Sequence, residues 1–151
     1  MGRPPLSLTD CEVAIVGLGL MGGSLAMALR GQCRTLIGVD RNPAVAETAL
    51  ARGVIDQITN FDAAHNADVL VLAAPVRAII GQVNQLAISA FYPPRATVVI
   101  DLGSTKAEVM RAMAELPPRF EPVSGHPMSG KSLSGLAHAT ADLFRNKPFV
   151  L

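Results

Sequence analysis

The chain has 151 residues, half of them hydrophobic and only 17% charged, with mean hydropathy +0.36; that suits one folded core and excludes intrinsic disorder. Lys and Arg number 13 against 12 Asp and Glu, a net charge of +1, and the aromatics are five Phe and one Tyr. That inventory assembles neither a basic groove nor a base-stacking platform, which excludes a nucleic-acid partner.

Cys11 and Cys33 lack the spacing of a zinc site or a disulfide framework, so no metal is expected and both read as small apolar residues in a reducing, cytoplasmic setting. Residues 1–10, with Pro4 and Pro5 and no apolar stretch, read as an N-terminal tail, and residues 11–151 as one domain. From Ala14 to Leu29 only Ser24 is polar, and Gly19 and Gly23 form a GxxxG. The run falls short of the about 20 apolar residues a membrane span needs, and its glycines favour a turn in the middle. No membrane is expected.

In chain order, Glu12 to Gly17 is a short β-branched run that reads as a buried strand. Ser24 to Arg30 reads as a helix closing near Gly31, and Thr35 to Val39 as a second strand ended by Asp40. Asn42 and Pro43 form a helix start, with Gly53 as its stop. Residues 55–59 give a weaker third strand and Val69 to Ala73 a fourth. Pro75 opens an amphipathic helix to about Ala90, and Tyr92-Pro93-Pro94 breaks the chain. Thr97 to Ile100 is a fifth strand, Thr105 to Leu116 a helix, Glu121 to Val123 a sixth strand and Pro148 to Leu151 a short seventh. Apolar strands alternating with helices predict an α/β fold of Rossmann type, a doubly wound, mostly parallel sheet covered on both faces.

Gly17-Leu18-Gly19-Leu20-Met21-Gly22 is a GxGxxG directly after a predicted strand, with an acid, Asp40, ending the next one. Gly17 permits the tight turn, Gly19 lets the backbone approach a pyrophosphate, and Gly22 lets helix pack on strand. Leu20 and Met21 bring the amides of the helix start towards the phosphates. Asp40 would accept hydrogen bonds from an adenosine ribose and repel a 2′-phosphate, favouring NAD over NADP, although the neighbouring Arg41 could hold such a phosphate.

Three further stretches follow in order: Ala73-Ala74-Pro75-Val76, Asp101-Leu102-Gly103-Ser104-Thr105-Lys106 and Gly125-His126-Pro127-Met128-Ser129-Gly130. With the glycine loop, they resemble the N-terminal, NAD-binding domain of prephenate and arogenate dehydrogenases over residues from about 11 to 151. The resemblance implies NAD-dependent oxidative decarboxylation of prephenate or arogenate in tyrosine biosynthesis. It also implies His126 as catalytic histidine and Ser104 as the hydroxyl that orients it beside the nicotinamide, with Ala74 and Pro75 touching the cofactor. Thr105 to Glu108 has the pattern of a capping box, which would leave Ser104 free for that task. Lys106 lies either near the site or at a solvated first helical turn. His65, on a surface turn or short helix, and His138, among alanines on a last helix, fit structural roles.

Two features depart from the family. Ser132 stands where many relatives carry an acid. The helical C-terminal domain through which relatives form homodimers and grip the substrate's carboxylates is absent from these residues, so an uncovered apolar face and self-association are expected. Two other readings share the fingerprint. One is a dehydrogenase of the 6-phosphogluconate or pyrroline-carboxylate reductase type; the other is a non-catalytic NAD-binding module or truncated fragment.

Overall fold

The computed structural model describes residues 5–90, 95–129 and 132–151; the expected break at Tyr92-Pro93-Pro94 lies outside them. Six strands form one parallel sheet: β1 (Glu12–Val16), β2 (Thr35–Val39), β3 (Gln57–Ile58), β4 (Val69–Leu72), β5 (Thr97–Asp101) and β6 (Phe120–Ser124). Their spatial order is β3-β2-β1-β4-β5-β6. The two halves of the chain therefore wind outward from the seam between β1 and β4, and a crevice opens where they part.

Helices α1 (Leu20–Leu29) and α2 (Pro43–Ala51) cover one face, and α3 (Phe61–Ala64), α4 (Val76–Ile88) and α5 (Ala107–Ala114) the other. The period-two pattern of β1 explains both cores. Val13 and Ile15 point into a cluster with Leu18, Leu36, Ile55 and Val71, whereas Ala14 and Val16 point into one with Leu72, Ile79, Val83 and Val109. Each such fully buried aliphatic side chain contributes about 1.5–3 kcal/mol relative to exposure.

The helix starting at Asn42-Pro43 forms as read: the Asn42 side chain accepts the Ala44 N–H at 3.1 Å, and Gly53 takes the left-handed conformation just past the end. Elsewhere the structure corrects the reading. α1 begins at Leu20 and runs through Gly22 and Gly23, with no turn before Ser24. The glycines are there for close approach: a Cβ on Gly23 would lie 2.7 Å from the Leu136 side chain. α5 is shorter than read, and the capping box does not form, because Lys106 is the N-cap residue and makes no side-chain cap bond. His138 sits on a last helix only in a short form, the three-residue 3-10 helix Leu136–His138. His65 caps α3 but is only 2% exposed, packed edge-on against Phe61 with ring centroids 4.8 Å apart. Cys11 is buried and Cys33 half-buried, and burial pushes both thiols up from their ordinary pKa.

The chain's last strand, β8 (Phe149–Val150), lies outside the main sheet and pairs antiparallel with β7 (His126–Pro127). The segment leading to it crosses back over α1, where the Ser24 hydroxyl, fully buried, accepts the Thr140 N–H at 2.9 Å. The one polar residue of the apolar run thus has a partner across the fold. Among the described residues no helix is long and apolar enough to cross a membrane.

Candidate active site

At the carboxyl ends of the strands a cleft of about 610 Å³ opens over the seam. Gly17, Gly19, Asp40, Arg41, Ala74 and Pro75 line it, six of the residues expected to bind a cofactor. Gly17 turns the chain at φ +95°, and a Cβ there would lie 2.8 Å from the Ala73 carbonyl oxygen. A Cβ on Gly22 would lie 1.8 Å from the Gly17 carbonyl oxygen, so only glycine lets α1 start this close to the loop. Gly19, by contrast, has nothing within 4 Å of a built Cβ and fronts open space. That open cradle at the start of a ten-residue helix suits a pyrophosphate and the backbone amides that would bind it.

Asp40 does more than face the cleft. Its Oδ2 accepts the Leu18 N–H at 2.9 Å and its Oδ1 the Asn42 N–H at 2.8 Å, so it ties the glycine loop to the end of β2. Each carboxylate oxygen keeps a second lone pair for a ribose hydroxyl. On the far wall stand Asn60 and Phe61 from the start of α3 and Gln82 and Gln85 from α4. Sequence reasoning missed all four: Gln82 and Gln85 read as solvated helix residues, and Asn60 and Phe61 belong to no motif.

A second pocket, of about 250 Å³, continues from the first and shares Ala73, Ala74 and Pro75 with it. Met21, Ser104, His126 and Ser129 line it, so the two expected catalytic residues converge at one end of a continuous trough. Leu20 and Gly22 line neither cavity.

The His126 imidazole has its Nδ1 3.3 Å from the Leu102 carbonyl oxygen. A carbonyl only accepts, so Nδ1 carries the proton in the neutral ring and Nε2 is left as the acceptor. Ser104 is exposed, and its hydroxyl makes no hydrogen bond with a described residue. The ring thus takes its orientation here from Leu102. Lys106 is not at a solvated turn; its ammonium points inward to Asp101 at 2.6 Å. Asp101 and the neighbouring Ser124 were not singled out in the sequence. The available signal was an acid ending an all-apolar strand on the edge where such sheets bind ligands.

The family model described as prephenate dehydrogenase, nucleotide-binding domain, matches residues 25–151. The chain belongs to the prephenate dehydrogenase family. It is 35% identical to a prephenate dehydrogenase of Bacillus subtilis over 92% of this chain and 38% of the relative. To a cyclohexadienyl dehydrogenase of Zymomonas mobilis it is 31% identical over 93% of this chain and 48% of the relative. Among solved structures, prephenate dehydrogenase from Aquifex aeolicus in complex with hydroxyphenyl propionate and NAD+ superposes with a TM-score of 0.79 at 31% identity, covering 95% of this chain and 51% of that one. Arogenate dehydrogenase from Synechocystis gives 0.80 at 29% identity, covering 91% and 48%. The chain spans about half the length of these relatives or less. Ser132 is exposed at a bend.

Proposed function

We propose that this chain is the NAD+-binding half of a prephenate or arogenate dehydrogenase, carrying the base of the reaction on His126. The observation that supports this is the continuous trough from Asp40 to His126 through Ala73–Pro75. The residues present fit a dinucleotide: an open cradle at Gly19, a close helix start at Gly22 and an acid at Asp40. Asp40 makes NAD+ the preferred cofactor over NADP+, since its carboxylate would accept hydrogen bonds from an adenosine ribose and oppose a 2′-phosphate, against the attraction of Arg41 for that phosphate.

NAD+, when bound, supplies the acceptor for the hydride that leaves the ring carbon bearing the 4-hydroxyl. His126 Nε2 accepts a hydrogen bond from that hydroxyl and takes its proton as the carbon becomes a carbonyl. The bond from the ring to its carboxylate then breaks, CO2 departs, and the electron pair aromatises the ring. The oxygen, now phenolate, recovers its proton from His126. Leu102 holds Nδ1–H throughout, and the imidazolium so formed keeps a partner on that side. Ser104 lines the same pocket, which supports a role for it in hydrogen-bonding the reacting hydroxyl or the nicotinamide amide.

A dianionic substrate needs charge-assisted donors, and no arginine is among the described residues lining the His126 pocket. We assign that grip, and homodimer formation, to a helical C-terminal domain, as the family resemblance implies. Its docking face would be the apolar strip of Met128, Leu133, Phe149, Val150 and Leu151, each about half exposed or more. Residues 11–151 then form the nucleotide domain, and a cytoplasmic location suits its two free thiols.

Calorimetric titration with NAD+ and then NADP+ tests the reading. Saturable binding that favours NAD+ is expected; no binding by a folded chain overturns it. In an enzyme containing both halves, His126→Asn should remove turnover and leave NAD+ affinity nearly unchanged.

A further inference from the structure

A set of polar side chains stands behind His126, outside the pocket it lines. Asp101 ends β5 and is 0% exposed. Its Oδ1 accepts the Gly103 N–H at 2.9 Å and the Lys106 ammonium at 2.6 Å, and its Oδ2 accepts the Ser124 hydroxyl at 2.6 Å. A carboxylate wholly out of water is tolerated only when paired and hydrogen-bonded, and these three donors meet that condition.

Lys106 makes a second bond, 2.6 Å, to the carbonyl oxygen of Gly125, the residue directly before His126. The Gly125 N–H donates in turn to the Asp101 carbonyl at 3.3 Å. On its other side, a Cβ at Gly125 would meet the Phe149 ring, so the buried peptide is held between that ring and the Lys106–Asp101 pair. A buried ion pair adds little net stability over apolar residues of like volume. What it supplies here is position.

We propose that Asp101 and Lys106 are positioning residues for His126. One carboxylate joins the loop that carries Ser104, through Gly103, to the strand end that carries His126, through the Lys106 bridge to Gly125. The ion pair thereby sets the distance between His126 Nδ1 and the Leu102 carbonyl, and so the tautomer that leaves Nε2 free to act as base. Lys106 does not line the pocket, which separates this role from a grip on the substrate. The role deepens the proposed function and rests on His126 being its base.

The test is the imidazole of His126, observed by nitrogen-15 NMR in the 151-residue chain without cofactor or substrate. The wild-type ring is expected in the Nδ1–H form; a ring protonated on Nε2 overturns the proposal before any variant is made. Lys106→Met alone leaves a buried unpaired carboxylate and threatens the fold. The neutral pair Asp101→Asn with Lys106→Met is therefore the decisive variant, its folding checked by amide dispersion. In it the Nδ1–H form should lose its dominance, while Ser124→Ala, which keeps the ion pair, should retain it. An unchanged ring in the folded double variant, or an equal loss in Ser124→Ala, overturns the proposal. Failure to bind NAD+ strikes the proposed function and leaves this readout standing, so the two failures are told apart.

Discussion

The two ends of the trough are built by opposite means. The dinucleotide end is shaped by missing side chains: Gly17, Gly19 and Gly22 bring backbone to backbone and leave a cradle, and its acid, Asp40, is tied to main-chain amides. The histidine end is shaped by side chains in contact, with Asp101, Lys106 and Ser124 linked behind Gly125 and His126. A surface made of backbone suits a ligand part that is identical in every turnover. A network of side chains suits a residue whose proton must move without the ring moving.

Single glycines break this contrast most sharply. Gly22→Ala should cost about 3 kcal/mol, because the new methyl meets a carbonyl oxygen that has no way to yield. Gly19→Ala should change stability by less than about 0.5 kcal/mol yet weaken NAD+ about tenfold or more, since its methyl enters only the cradle. Thermal melts and calorimetry on the pair separate folding from binding. Equal melting temperatures for the two would refute the distinction.

Next in size is Asp40→Ala, expected to cost about 2 kcal/mol of stability through the Leu18 and Asn42 amides, in addition to its effect on affinity. A loss of affinity with unchanged denaturant midpoint would show that the carboxylate serves the ligand alone.

Away from both ends, His65 gives a pH effect of known sign. Burial holds its pKa below the ordinary 6.5, with Arg119 acting the same way and Asp62 against. Above that value neither folded nor unfolded chain binds the proton. As pH falls below it the unfolded chain takes the proton first, so stability declines, by at most about 1.4 kcal/mol per pH unit for one site. Urea melts at pH 7 and 5 should show the decline, and His65→Leu should flatten it. The smallest change is expected for Arg30→Ala, which removes a half-exposed ion pair with Asp56 worth about 0–1 kcal/mol. Asp56 lies below the usual carboxylate range first through the Leu36 N–H and only then through Arg30, so its own removal should cost more.

The sheet and the glycine loop were legible in the sequence because buried parallel strands and their turns depend on local pattern. Val69 to Leu72 and Thr97 to Asp101 can be little else. The start of α1 was misread because glycine normally opposes a helix, and only the Leu136 and Ala139 side chains, far along the chain, explain Gly23. Lys106 was left between two readings for a similar reason. Its partners, Asp101 and Gly125, come together only when β5 and β6 pair, and that contact prevails over the capping box written into residues 105–108. His126 and Ser104 were found through resemblance. The Leu102 carbonyl that orients the ring is a main-chain atom and leaves no mark in composition.

The pairing of β7 with β8 separates two tasks along the chain. Every described residue lining the dinucleotide cleft lies before position 86, whereas the backbone partners of His126 and Pro127 are Val150 and Phe149. A proteolytic cut between Leu143 and Pro148 would spare the cleft and release the histidine from its strand. The product would be a sink for nucleotide, holding it without the means to use it.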